Sequence, residues 1–116
     1  MTNNGMTWGI LLATARPANL TEAEVFDHVL SYALAAERYE YDTAWLMEHH
    51  FTDYAIAPDT LTMAGFLLGA TSRLRIGTAV TVAPFIHPVR LAESVALLDH
   101  LGKGRFNLGL GRGICK

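Results

Sequence analysis

Three stretches of this sequence carry residue types that could do chemistry. The richest is Glu48-His49-His50-Phe51. A histidine titrates near neutral pH and can take a proton from a reacting group. A carboxylate beside it can orient the ring and raise its basicity. The same residues also suit a polar loop in which each imidazole only hydrogen-bonds the backbone. A metal site fits them less well. Neighbouring side chains on extended chain point to opposite faces, so His49 and His50 cannot readily close on one ion, and the HExxH spacing of helical zinc sites is absent. The second stretch is Gly109-Leu110-Gly111-Arg112-Gly113. Glycines let backbone N–H groups approach a phosphate, and a guanidinium can pair with it. The spacing is not GxGxxG and no helix follows within the chain, so the pattern alone favours a glycine-rich turn with a solvated arginine. The third is Thr78-Ala79-Val80-Thr81. Its composition is plain strand, with a small Ala79 that leaves room for a flat ligand; simple packing is the reading the composition favours.

The elements that must position these residues alternate. Thr7 to Leu12 is an apolar run with the character of a buried strand. Thr21 and Glu24 form a capping box, and Phe26, Val29, Leu30, Ala33 and Ala36 recur at helical spacing up to a stop near Arg38 to Glu40. Thr43 to Met47 is a continuous apolar run, suited to a strand buried on both faces. Pro58-Asp59 opens a second helix with Leu61, Ala64, Leu67 and Leu68 on its inner side. Leu74 to Val82 is a third strand, rich in β-branched residues. Pro88 suits the first turn of a third helix, which His87 caps, Leu91, Val95 and Leu98 line, and Gly102 stops. Phe106 to Leu110 is a fourth strand. Strand starts at Thr7, Thr43, Leu74 and Phe106 lie 36, 31 and 32 residues apart. A (β/α)8 barrel uses about 31 residues per unit. The sequence predicts an α/β fold, the N-terminal half of a TIM (β/α)8 barrel, with four parallel strands and three helices in one partial domain over residues 1–116, cut off after the fourth strand. A doubly wound nucleotide-binding sheet is the structural alternative. In either fold, function collects on loops after the carboxyl ends of strands; the first stretch falls on such a loop, and the other two run from a strand end into one. Those loops are expected at Thr14 to Pro17, Glu48 to Phe51, Thr81 to His87, and from Gly111 onward.

Composition narrows the class. Hydrophobic residues make up 51% of the 116 and charged residues 17%, with a net charge of -2. That describes a globular chain without the basic field that nucleic acid or an anionic membrane would select. The first residues have no basic segment before the apolar run, and the run is too short for a signal peptide or a membrane span. The single cysteine, Cys115, cannot form an internal disulfide and fits a reducing, cytoplasmic setting. No role is assigned to it.

The stretches YDTAWLMEHHFTDYAIAPDT and LLGATSRLRIGTAVTVAPFIHPVRLAESVALLDHLGKGRFNLGLGRG say more. They resemble bacterial luciferase and its flavin-dependent relatives, nearly unbroken from Tyr41 to Gly113 and more loosely over residues 7–40. The EHHF, GTAV, HPVR and KGRF blocks keep that family's order and spacing. The resemblance implies a barrel that binds reduced FMN at the carboxyl ends of its strands and uses O2 to oxidise a small organic substrate, with a flavin reductase as the source of reduced FMN. Carried over by position, His49 looks like the catalytic histidine, with Glu48 and His50 as its neighbours. Ala79-Val80 falls where relatives often carry a non-proline cis peptide under the flavin ring. Gly111 falls where luciferase has a reactive cysteine near the flavin, and Arg112 where an arginine helps hold its phosphate. The glycine usual after the first helix is Glu40 here, which costs on the order of 1 kcal/mol if φ is positive.

Half a barrel leaves open strand edges and an uncovered interior face, so a partner is expected: a second copy, another chain, or the rest of a longer protein. By resemblance, the second and third helices would form a dimer face, on which Glu93 meets His50 of the partner subunit. Two other functions stay open at this point. One is a half-barrel that binds a partner without catalysis. The other is a deazaflavin-dependent oxidoreductase of the same fold.

Overall fold

The computed structural model describes residues 5–52 and 54–114; Cys115 lies outside them. Each helix begins where a side chain closes its free N–H groups. For α1 (Glu22–Arg38), Thr21 Oγ1 accepts from the Glu24 N–H at 3.3 Å, and Glu24 Oε2 accepts from the Thr21 N–H at 2.8 Å. For α2 (Thr60–Ala70), Asp59 Oδ1 accepts from Leu61 and Thr62 at 3.0 and 3.1 Å. For α3 (Pro88–Leu101), His87 Nδ1 accepts from Val89 at 3.3 Å, Pro88 fills the first turn and Gly102 ends it.

Between the helices run β1 (Gly9–Leu12), β2 (Thr43–Leu46) and β3 (Arg75–Thr78). A two-residue β4 (Thr81–Val82) follows, and after α3 come β5 (Phe106–Asn107) and β6 (Leu110–Gly111). The main sheet has the order β1-β2-β3-β5 and is parallel throughout; β4 and β6 continue the last two strands as a second parallel pair. The expected architecture of four parallel strands and three helices is therefore present.

Three boundaries differ from expectation. The first strand starts at Gly9 because Trp8 is engaged by Asp42: its N–H donates to Asp42 Oδ2 at 2.7 Å, and its carbonyl accepts from the Asp42 and Thr43 N–H groups. The third strand is broken at Ala79-Val80 and the fourth at Leu108-Gly109, and pairing resumes only at β4 and β6. Gly111 thus ends a strand instead of opening the loop.

The core lies between the sheet and the helices. Leu12, Ala44, Leu46, Ile76 and Phe106 from the strands pack on Val29, Ala33, Ala36, Leu61, Ala64, Leu67, Leu68 and Leu98. On α1 the buried stripe includes Val25, while Phe26 is exposed; the helical period turns the face one residue earlier than expected. Leu91 and Val95 are only partly buried. The alternate strand residues form the other face. There Trp45 fills the space over two neighbouring strands, since a Cβ on either Gly9 or Gly77 would run into its ring. Leu11, in register with Trp45, is 53% exposed on this uncovered face. Glu40, just past α1, has φ of 62°, the left-handed geometry that the missing glycine would have suited.

Candidate active site

The carboxyl end of the sheet is organised by one close approach. Thr78 Oγ1 donates to the Gly109 carbonyl at 2.9 Å and accepts from the Gly109 N–H at 3.0 Å. The Thr81 N–H reaches the same carbonyl at 2.8 Å, and the Ala79 N–H donates to the Leu46 carbonyl at 2.7 Å. A side chain at 109 would collide with the Thr78 carbonyl, so only glycine fits there. The side chain of Thr78 thus takes over pairing that the backbone would otherwise make, which is why both strands break at this level. Within the break the Ala79–Val80 peptide is cis.

Beside it lies the loop after β2. The His49 N–H donates to the Ala57 carbonyl at 2.9 Å, tying the loop back on itself, and the His49 ring meets Tyr54 edge-on at 5.4 Å. His50 turns the other way. Its Nε2 lies 2.8 Å from Glu48 Oε1, and its ring stands edge-on to Phe85 at 4.6 Å. The two imidazoles therefore have separate surroundings, as expected of neighbours on extended chain. The Glu48 side chain is buried, 3% exposed against 24% for that of His50. Its second oxygen, Oε2, accepts from Thr60 Oγ1 at 3.1 Å, and Thr60 Oγ1 lies 2.9 Å from Thr81 Oγ1. Both threonines are fully buried.

These parts enclose a cavity of about 500 Å³, within the size range of small-molecule sites. Glu48, His49, His50, Ala79 and Val80 all border it, so five of the seven residues singled out in the sequence come together. Gly111 adjoins the cavity through Val80: a Cβ at 111 would sit 2.5 Å from Val80 Cγ2. Arg112 is exposed and borders a separate shallow recess with Ala83 and Pro84. Glu93 is exposed on α3 and pairs with Arg90 at 3.2 Å. Sequence reasoning did not pick out Thr60 or Phe85, and it named Phe51 and Thr81 only as members of their stretches, with no role. A hydroxyl directly after the Asp59 cap, behind the Glu48 loop, was the available signal for Thr60. A second groove of about 570 Å³ runs between α2 and α3 and shares Glu48, His50 and Phe85 with the cavity.

A parallel β/α sheet with its loops gathered at the carboxyl ends of the strands has the architecture of one side of a TIM barrel. A family model for luciferase-like monooxygenases matches residues 6–115, and the chain belongs to that family. It is 44% identical over 109 residues to the alkanal monooxygenase alpha chain of the Kryptophanaron alfredi symbiont, covering 94% of this chain and 30% of that one. The chain thus spans about a third of the length of the curated relatives it matches. The oxygenating constituent of the 3,6-diketocamphane monooxygenase from Pseudomonas putida, a type II Baeyer-Villiger monooxygenase in complex with FMN, superposes with a TM-score of 0.88. That match has 21% identity over 95% of this chain and 30% of that one. An F420-dependent secondary alcohol dehydrogenase shares the fold at a TM-score of 0.71, with 24% identity over 92% of this chain and 31% of that one.

Proposed function

We propose that this chain supplies the flavin-facing half of a monooxygenase that uses reduced FMN and O2 to oxidise a small organic substrate. The observation that carries the reading is the meeting of the Glu48-His49-His50 loop and the cis Ala79–Val80 peptide at one cavity. The cavity fits a flavin. Met47, Val80, Val82 and Phe85 offer apolar surface for a ring system, Ala79 is small and exposed, and the polar side chains of the lining all come from the loop 48–52. Reduced FMN would supply the electrons that activate O2. Ala79 and Val80 would lie under the ring, and Gly111 and Arg112 would serve its phosphate end. His49 would hold or move a proton at a ring nitrogen beside the ring system, while Glu48 and His50 shape the wall behind it.

The name of the 44% identical relative, an alpha chain, supports a multi-chain enzyme. Exposed Phe66 and Leu97 along the α2–α3 groove suit a homodimer face, beside which Glu93 pairs with Arg90. A flavin reductase would deliver the reduced FMN.

Anaerobic titration with reduced FMN and, in parallel, reduced deazaflavin F420 tests the cofactor. Saturable binding of FMN alone is expected; binding of F420 alone would overturn the reading. In the FMN-loaded protein, His49→Ala should leave flavin affinity within a few-fold and lower substrate oxidation by about 10²- to 10⁴-fold, the usual range for a lost acid–base group. Unchanged turnover would remove His49 from the chemistry.

A further inference from the structure

The buried hydroxyl groups behind the Glu48 loop form a chain with a defined direction. Thr60 has one hydroxyl hydrogen, and it goes to Glu48 Oε2 at 3.1 Å. The 2.9 Å contact between Thr60 Oγ1 and Thr81 Oγ1 must then be filled by the Thr81 hydrogen. Glu48 Oε1, facing His50 Nε2 at 2.8 Å, is left to accept as well. Carboxylates accept only, and a carboxylate buried to 3% exposure is held in place by the hydrogen bonds it receives.

We propose that the chain Thr81–Thr60–Glu48 fixes the neutral His50 ring with its proton on Nε2. Nδ1 is then the one atom of that ring able to accept a proton. Among the described residues Nδ1 has no hydrogen-bond partner, and the Phe85 edge holds the ring plane at 73°. Thr60 and Thr81 are thereby positioning residues: neither borders the cavity, and both act on it through Glu48. The neutral amide of a Gln at 48 would turn one end of the chain into a donor. With the amide N–H toward Thr60 the order of donors would reverse; with it toward His50, Nε2 would have to accept and the ring proton would move to Nδ1. The inference deepens the flavin reading, on which its functional meaning rests, but its test does not use flavin.

The experiment is ¹⁵N–¹H spectroscopy of the histidine rings in the flavin-free protein near pH 8.5, roughly two units above the ordinary imidazole pKa of about 6.5. The His50 signals are assigned by their disappearance in His50→Gln. A slowly exchanging Nε2–H proton is expected in the unmodified protein. It should persist in Thr60→Ser, which keeps the hydroxyl, and vanish into solvent exchange in Thr60→Val. A proton on Nδ1, no observable ring proton in the unmodified protein, or an unchanged one in Thr60→Val would each overturn the proposal. If Thr60→Val loses its folded amide spectrum, Thr81→Val decides: several-fold faster exchange of the His50 proton supports the chain, and unchanged exchange overturns it. FMN titration of the same samples separates the two readings, since flavin binding without the ring proton sinks only this inference. The ring proton without flavin binding sinks only the cofactor.

Discussion

Val80 fills the space that a side chain at position 111 would occupy, and this can be measured. An alanine Cβ at 111 would lie 2.5 Å from Val80 Cγ2, 3.1 Å from its Cβ and 3.3 Å from its Cγ1. Carbon atoms rest at about 3.5–4.0 Å, so roughly 1 Å must be recovered at the worst contact. Neither side yields easily. Val80 is β-branched and stiff at χ1, and residue 111 is held in the β4–β6 pair opposite Val82. Overpacking of this kind costs about 1–3 kcal/mol. Gly111→Ala should therefore destabilise the protein by about 2 kcal/mol. Val80→Ala removes both γ carbons and leaves only the 3.1 Å contact. Gly111 is not at positive φ, so in that background alanine also stiffens the unfolded chain, worth about 0.4–1 kcal/mol in its favour. The cost of Gly111→Ala should then fall below about 0.5 kcal/mol, a coupling of 1–2 kcal/mol between touching sites. Urea unfolding of the four proteins, compared at equal m-value, gives the cycle. A cost under about 0.5 kcal/mol with Val80 present, or the same cost in both backgrounds, would refute the packing argument. If it holds, the position that carries a reactive cysteine in luciferase is closed here from the neighbouring strand.

Two further outcomes follow from the scaffold. Burial pushes the Glu37 carboxyl up, but the Arg73, Leu74 and Ser72 backbone N–H groups it accepts, with the Arg73 charge, outweigh that and hold it below its ordinary 4.5. A depressed carboxylate stabilises the fold above its unfolded pKa and loses that stabilisation as pH falls through the folded value. Glu37→Gln should therefore cost on the order of 1 kcal/mol at pH 7 and flatten the loss of stability below about pH 4.5, read by urea midpoints across pH. Glu40, at φ of 62°, should tolerate glycine: Glu40→Gly is expected to raise stability by roughly 0.5–1 kcal/mol, and a lower thermal midpoint would contradict it.

The sequence carried the elements well where local physics sets them. Capping residues Thr21, Asp59 and His87 mark helix starts because each satisfies N–H groups that nothing else nearby can reach. The apolar strand runs were equally plain, because a parallel sheet buried by crossover helices needs unbroken hydrophobic sequence. What the runs hid is where the strands stop pairing. Nothing in Leu74–Val82 distinguishes Thr78 from Thr81 by composition. Only the close approach of Gly109 from the next strand, more than 25 residues on, turns the Thr78 hydroxyl into a substitute for backbone pairing. Contacts of that separation have no local trace.

The same distinction sorts the blocks that carry the family resemblance by what they do here. Arg105, within the KGRF block, sends its guanidinium to the Leu68 and Leu74 carbonyls and to Thr71 Oγ1, closing the end of α2 at 2.8–3.1 Å. Lys103 and Gly104 beside it turn the chain at φ of 53° and 76°. That block is scaffold. The EHHF block is different in kind. Its buried Glu48 carboxylate receives bonds from α2 and, through Thr60, from β4, and then holds a ring that borders both the cavity and the α2–α3 groove. A residue that only needed to fold would be cheaper as an apolar side chain, since burying a charge is offset only by several well-placed partners. A buried Glu48 side chain with each oxygen engaged is the physical basis for the proposal that this end of the sheet positions a proton.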